Sequence, residues 1–273
     1  MKKITISTIL FALFFAACQP SDEQQAIALV NSAQTLVDNG LWRQARIELQ
    51  NGILRGNQST TYPKQVSQRR LANALEDSIT YLEAQQTLAY TDTLLPPLLT
   101  QADKLIKQFK YQKNDKYEDH GKYVHRLLTT NSNTSRNFIQ AYVLDNRQTV
   151  VKSYYYGNTQ VNQQTISLSA EGESSTFQGR NHHFQDGAHH EIMTLDNDDA
   201  LALLNFISTH HAARIRIEGQ GDKPSRNWVY YLNDKEKQAL SDTYQLGFLM
   251  KDINQLEQMQ RTANAQIKRY NSK

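Results

Sequence analysis

Apolar residues recur every three or four positions through the first part of the chain. In residues 22–56 they form two stretches separated by Gly40, a pattern that predicts a helical hairpin. From Pro63 to Leu95 the same spacing predicts a long helix. Pro96-Pro97 is predicted to stop or kink this helix, because each proline ring removes a backbone donor.

A second long helix is predicted at the end of the chain. Asn233 is its expected cap, with Glu236 as capping-box partner, and the apolar residues that follow have a 3-4-3-4 spacing up to Tyr270. At 1.5 Å per residue this helix and the one beginning at Pro63 have similar lengths, roughly 50–55 Å. We expect them to pack antiparallel in a monomer, with a homodimeric coiled coil as the alternative.

The periodicity changes after residue 131. Short segments rich in β-branched and aromatic residues now alternate with Asn, Asp and Gly, which is typical of β-strands. One helix interrupts them, with Asn197 as its predicted cap and Asp198 and Asp199 in its first turn. The charged stretch 110–122 is predicted to be a loop. The six predicted strands cover residues 138–144, 149–156, 165–170, 190–195, 214–218 and 227–232.

These elements predict an α+β fold in which a β-rich domain is inserted between helices. The N-terminal hairpin and long helices would pack with the long C-terminal helix. The predicted segments are a leader over residues 1–17, a helical hairpin and stalk over 18–128, a β-rich domain with one helix over 135–232, and the C-terminal helix over 233–273.

Charge and polarity narrow the function classes. The 273 residues include 30 Lys and Arg against 27 Asp and Glu, a formal net charge of +3. Such a balance lacks the basic excess of a nucleic-acid-binding protein, so we expect no nucleic-acid partner. The abundance of Gln and Asn excludes a multi-pass membrane protein.

The N-terminus has the features of an export signal. Lys2 and Lys3 precede an apolar run of 14 residues that ends at Ala17, directly before Cys18. Such a run spans about 21 Å as a helix, less than the ~30 Å of a bilayer core, so it is not expected to span the membrane. Cys18 is the one cysteine of the chain, and therefore no intramolecular disulfide accounts for it.

The sequence Phe15-Ala16-Ala17-Cys18 resembles the cleavage site of bacterial lipoprotein signal peptides. The resemblance implies diacylglycerol (palmitate-type) attachment to the Cys18 thiol, cleavage after Ala17 and acylation of the new amino terminus. Gln19, where lipoproteins of the inner membrane often carry Asp, implies a lipid anchor in the outer membrane, facing the periplasm or the cell surface. An ordinary secretory signal is the alternative.

Residues of the first hairpin carry a looser resemblance. Gly40, Trp42, Ala45, Leu49 and Gly52 are similar to the middle of a tetratricopeptide repeat, in which small residues let two helices approach. No second copy follows, so the pattern indicates a single repeat-like hairpin. The whole chain resembles outer-membrane lipoproteins of uncharacterised activity that combine such a hairpin with a long C-terminal helix.

Three pairs of adjacent histidines are the candidate metal ligands: His182-His183, His189-His190 and His210-His211. Imidazoles with a neighbouring carboxylate could hold zinc. Adjacent residues of a strand point to opposite faces, however, so each pair offers one ligand to a given point. We therefore expect no metal site and no cofactor, and no catalytic residue can be assigned.

Aromatic residues indicate a candidate binding surface. Tyr154 and Tyr156 lie on one predicted strand, and Trp228 and Tyr230 lie on another. Aromatic rings can stack on sugars or peptides, although buried aromatic rings of a core follow the same pattern. The sequence favours a non-catalytic, membrane-anchored binding or scaffold protein whose β-rich domain engages an envelope or extracellular partner. The alternatives are a metal-assisted hydrolase that uses the histidine pairs and a purely structural coiled-coil spacer.

Overall fold

The elements of the chain form the predicted α+β fold. The computed structural model describes residues 21–58, 66–114, 116, 119–128, 135–223 and 226–272. The helices of this part are α1 (Asp22–Asp38), α2 (Trp42–Gln58), α3 (Val66–Ile106), α4 (Asn197–Thr209) and α5 (Asp234–Asn271). Its strands are β1 (Phe109–Gln112), β2 (Lys122–His125), β3 (Phe138–Leu144), β4 (Thr149–Gly157), β5 (Thr165–Ala170), β6 (Glu173–Gln178), β7 (Arg180–Asp186), β8 (Ala188–Asp196), β9 (Arg216–Gln220) and β10 (Trp228–Tyr231).

The chain divides into two compact units. The helical unit takes in Met1–Asp92 and Met259–Lys273, and the mixed unit is Thr93–Gln258. The domain bounds predicted from the sequence were placed where the pattern changes from helix to strand. These bounds stay a prediction.

Small residues allow the close packing of α1 against α2 in the helical unit. Gly40 connects the two helices with φ +74°, a conformation that residues with a side chain rarely adopt. A Cβ atom on Gly52 would lie 3.2 Å from the Ala26 carbonyl oxygen. The core of the hairpin and α3 is formed by Val30, Ala33, Ala45, Leu49, Ala72, Leu75 and Ile79.

The C-terminal helix α5 packs on α3 in the antiparallel direction that the sequence predicts. In the helical unit, Gln260 Nε2 donates to Asp92 Oδ1 at 2.7 Å, and the rings of Tyr81 and Tyr270 stack with centroids 4.4 Å apart. The later residue of α5 thus contacts the earlier residue of α3. In the mixed unit, Leu246 of α5 lies in a buried cluster with Phe109 and Val143, packed against residues at the end of α3.

Of the two outcomes predicted for Pro96-Pro97, the stop is wrong, because α3 continues through both prolines to Ile106, and the kink stays a prediction. Two prolines remove only two backbone donors. Leu95 and Ala102, on either side of the pair, are both buried. Burial on both sides stabilises the continuous helix.

The mixed unit contains two antiparallel sheets, with strand orders β1-β2-β3-β4-β8-β7 and β10-β9-β5-β6. The six predicted strands are confirmed as β3, β4, β5, β8, β9 and β10. The loop predicted over 110–122 is wrong at both ends, where β1 and β2 pair with each other. Strands β6 and β7 were not predicted.

The predicted N-terminal cap is present at α5 and absent at α4. The capping box of α5 is confirmed: Glu236 N donates to Asn233 Oδ1 at 3.0 Å, and Asn233 N donates to Glu236 Oε2 at 3.1 Å. Asn197 does not cap α4, because it is the first helical residue and has φ +49°. Asp198 and Asp199 do lie in the first turn, as predicted.

Candidate functional site

A cavity of about 710 Å³ lies in the helical unit between α2, α3 and the last part of α5. Ligand cavities of proteins commonly measure about 300–1,000 Å³, so this one can hold a small molecule. The residues that line it include Trp42, Arg46, Glu83, Thr87, Tyr90 and Met259.

An ion pair between α2 and α3 gives the cavity a fixed polar wall. Arg46 Nε donates to Glu83 Oε1 at 2.8 Å, and Arg46 Nη2 donates to Glu83 Oε2 at 2.5 Å. The same Nη2 atom lies 3.2 Å from Thr80 Oγ1. The two charged side chains are 28% and 33% exposed, so they are partly shielded from water. A bidentate pair of this kind holds both side chains in one orientation.

Two aromatic rings, Trp42 and Tyr90, and a second guanidinium, that of Arg43, also line the cavity. The Arg43 guanidinium carbon lies 5.0 Å from the centroid of the half-buried Trp42 ring, a cation–π contact. Tyr90 is 54% exposed. The cavity therefore presents one accessible ring, one ring covered by a cation and an oriented ion pair.

Four of the six paired histidines lie on the hairpin of β7 and β8. His183 and His189 point to one face, with Nε2 and Nδ1 atoms 3.0 Å apart. His182 and His190 lie on the opposite face, where the His190 ring stacks on Phe184 with centroids 4.6 Å apart. Each face of the hairpin thus carries two of the four imidazoles.

The third pair lies apart from the hairpin, directly after α4. The His210 Nε2 atom is 3.3 Å from a carboxylate oxygen of the exposed Glu173, and the His211 Nε2 atom is buried without a hydrogen-bond partner. Within the described residues, no group of three or more His, Cys, Asp or Glu side chains is placed to hold a metal ion.

The first two of the predicted surface aromatics share a face of β4. The Tyr154 ring stacks on Phe138 with centroids 4.3 Å apart, and the Tyr156 and His190 rings make a T-shaped contact with centroids 5.1 Å apart. Burial raises the pKa of Tyr154 above its ordinary value of 10.0. Tyr154 and Tyr156 thus belong to a row of aromatic rings that runs across neighbouring strands.

The other two predicted aromatics lie on β10 in the second sheet. Trp228 is only 6% exposed and lies against Tyr155, with ring centroids 6.2 Å apart. Tyr230 is half-buried; burial, and next the Glu236 carboxylate, raise the pKa of its hydroxyl. The structure therefore does not bring the four aromatics into one surface, and Trp228 belongs to the core.

A buried carboxylate holds the connection between β4 and β5. Glu191, on β8, is fully buried. Its Oε1 atom accepts from the backbone N–H groups of Val161 at 2.6 Å and Asn162 at 2.8 Å. Its Oε2 atom accepts from Gln163 N at 2.5 Å and Asn181 Nδ2 at 2.8 Å. Because the carboxylate accepts four hydrogen bonds and fixes the backbone of residues 161–163, its role is structural.

A buried histidine and aspartate link β2 to α5. Leu127 N donates to His125 Nδ1 at 3.2 Å, so the proton of the neutral ring is on Nε2, which lies 3.2 Å from Asp242 Oδ2. Burial lowers the pKa of His125 below 6.5, although Asp242 acts in the opposite direction. Because Nδ1 already accepts a backbone hydrogen bond, His125 has no free nitrogen for proton transfer.

Comparisons with family models, curated proteins and solved structures find no match to this chain. The geometry of the chain itself is therefore the basis for a function. None of the described helices combines the length and the apolar character needed to span a bilayer. Cys18 and the leader over residues 1–17 lie outside the described residues.

Proposed function

We propose that this protein is a lipid-anchored component of the bacterial cell envelope that binds a ligand in the cavity of its helical unit. The lipid anchor follows from the apolar leader and from the Phe15-Ala16-Ala17-Cys18 sequence, which resembles lipoprotein signals. Acyl chains contribute about 0.8 kcal/mol per buried methylene, so a multiply acylated Cys18 would hold the protein firmly on the outer membrane.

The observation that carries the binding function is the cavity of about 710 Å³ with its oriented ion pair. Side chains that are already held in place lose little conformational entropy when a ligand binds, and this favours affinity. Arg46 and Glu83 fulfil this condition, since each is held by two hydrogen bonds to the other.

The same wall favours binding over catalysis. Of the described residues that line the cavity, Glu83 is the one with a carboxylate, and Arg46 engages both of its oxygens. Among the described residues, no histidine, cysteine, serine or lysine lines the cavity. The hydroxyls of Thr87 and Tyr90 do line it, but Arg46 holds both oxygens of the carboxylate that could serve them as a base. General acid–base or nucleophilic catalysis requires such groups within reach of a substrate.

Photo-crosslinking in cells tests the proposal with a matched pair of positions on α3. Gln86 lines the cavity, whereas the neighbouring Gln85 is outside it and donates from Nε2 to the Tyr81 hydroxyl at 2.9 Å. A photoreactive benzoylphenylalanine in place of Gln86 is expected to crosslink a bound ligand, and the same residue in place of Gln85 is not.

Trp42→Ala should abolish the crosslink from position 86, because it removes a wall of the cavity while the ion pair remains. Circular dichroism of this variant controls for folding. Equal crosslinking from positions 85 and 86, or a crosslink that survives Trp42→Ala, would contradict the proposed binding site.

A further inference from the structure

The described charged side chains that line the cavity leave one net positive charge, that of Arg43. Glu83 neutralises Arg46, but no carboxylate lies within 4.0 Å of the Arg43 guanidinium in the part of the chain that the structure describes. Arg43 is exposed and rests on the Trp42 ring, so its donors are open to a ligand. Charge complementarity therefore favours an anionic group on the ligand, because a guanidinium forms its strongest hydrogen bonds with carboxylates and phosphates.

Other groups of the cavity fit a ligand that is rich in hydroxyl groups. Gln86 and Gln266 bring amide groups, and Thr87 brings a hydroxyl. Amides and hydroxyls both donate and accept hydrogen bonds, as the hydroxyl groups of sugars do. The exposed ring of Tyr90 offers a flat apolar face against which the C–H face of a sugar ring can pack.

We propose that the cavity binds an acidic saccharide, with its acidic group on Arg43 and a sugar ring against Tyr90. This inference rests on the proposed binding function and assigns the ligand class to the same site. The cavity volume of about 710 Å³ leaves room for more than one sugar ring.

The chain contains a built-in reporter for this ligand. Its two tryptophans are Trp42, which lines the cavity, and Trp228, which is buried in the mixed unit. In Trp228→Phe, Trp42 is the one remaining tryptophan, so a change in tryptophan fluorescence reports on the cavity. The titrants are a hexuronic acid tetrasaccharide and the neutral hexose tetrasaccharide of the same linkage.

We expect a saturable fluorescence change with the acidic saccharide and about 10-fold weaker binding of the neutral one, since the neutral sugar leaves Arg43 without a charged partner. The difference should shrink when the salt concentration rises from roughly 0.1 to 1 M. Glucuronate and glucose 6-phosphate, as single-ring titrants, distinguish a carboxylate from a phosphate.

Two further substitutions in the Trp228→Phe background test the assigned roles. Arg43→Gln should weaken binding of the acidic saccharide about 10-fold and leave the neutral one unchanged. Arg55→Gln is the matched control, because Arg55 is an exposed arginine of the same helix that does not line the cavity. Tyr90→Ala should weaken both saccharides, and Tyr90→Phe should weaken neither.

Equal affinity for the two tetrasaccharides, or no effect of Arg43→Gln, would overturn the acidic ligand class. Tighter binding of an acidic peptide, tested with tetraglutamate, would overturn the saccharide assignment and leave the binding function standing. The absence of any Trp42 response also overturns the saccharide assignment. If position 86 then yields no crosslink in cells either, the proposed function fails as well.

Discussion

Replacing Glu191 by glutamine should destabilise the mixed unit. The carboxylate accepts four hydrogen bonds, two on each oxygen. An amide nitrogen cannot accept, so Glu191→Gln leaves two of the four donors facing another donor. A hydrogen bond to a charged group contributes about 1.5–3 kcal/mol. With partial rearrangement, we expect the free energy of unfolding to fall by about 2–4 kcal/mol.

Thermal unfolding followed by circular dichroism measures this loss. For a unit of this size 1 kcal/mol corresponds to about 2–4 °C, so the Tm should fall by about 4–16 °C. The backbone amides of residues 161–163 should also exchange hydrogen faster, because their acceptor is impaired. Glu173→Gln is the control, since this side chain is 73% exposed. A Glu191→Gln variant as stable as the control would refute the structural role of the carboxylate.

Three other substitutions test separate parts of the fold. His125 has a folded-state pKa below its unfolded value of about 6.5, so its contribution to stability is complete above pH 6.5 and is lost as the pH falls below that value. His125→Gln should therefore reduce the pH dependence of the urea midpoint between roughly pH 6.5 and 5, whereas His182→Gln, at an exposed position, should not. Gly52→Leu should lower the free energy of unfolding by about 1–3 kcal/mol in urea titrations, because its side chain would meet α1, and an unchanged midpoint would contradict that contact. Asn233→Ala should cost about 1 kcal/mol through the lost cap of α5, and thermal melts that match the wild type would argue against this cap.

Apolar periodicity predicted the elements that bury a face, and it failed at sheet edges. In β5, buried residues such as Ile166 and Leu168 alternate with less buried ones, whereas β3 is an almost continuously buried apolar run. Both patterns predict a strand, and both strands have the predicted bounds. Strand β7 is an edge strand in which only His183 is even half-buried. A strand that buries no apolar side chain has no periodic signal. The prediction of a loop over 110–122 failed because the buried residues of β1 and β2, Phe109 and Val124, lie just outside that stretch.

The candidate cavity could not be predicted because its walls come from distant parts of the chain. Arg46 pairs with Glu83, 37 positions later, and Met259 comes from the last helix. In the sequence, Trp42 stood out only as part of the repeat-like hairpin. Trp228 shows the reverse problem, since the alternation of residues along β10 does not reveal which face of its sheet the other sheet covers.

The location of the protein in the envelope decides which ligands can reach the cavity. That location depends on one modification, the acylation of Cys18. Mass spectrometry of the N-terminal peptide, from protein purified out of bacterial membranes, tests that modification directly. We predict a peptide that begins at Cys18 and carries acyl chains on its sulfur and its amino group. A peptide that retains Lys2 and Lys3 and has an unmodified Cys18 thiol would contradict the lipid anchor.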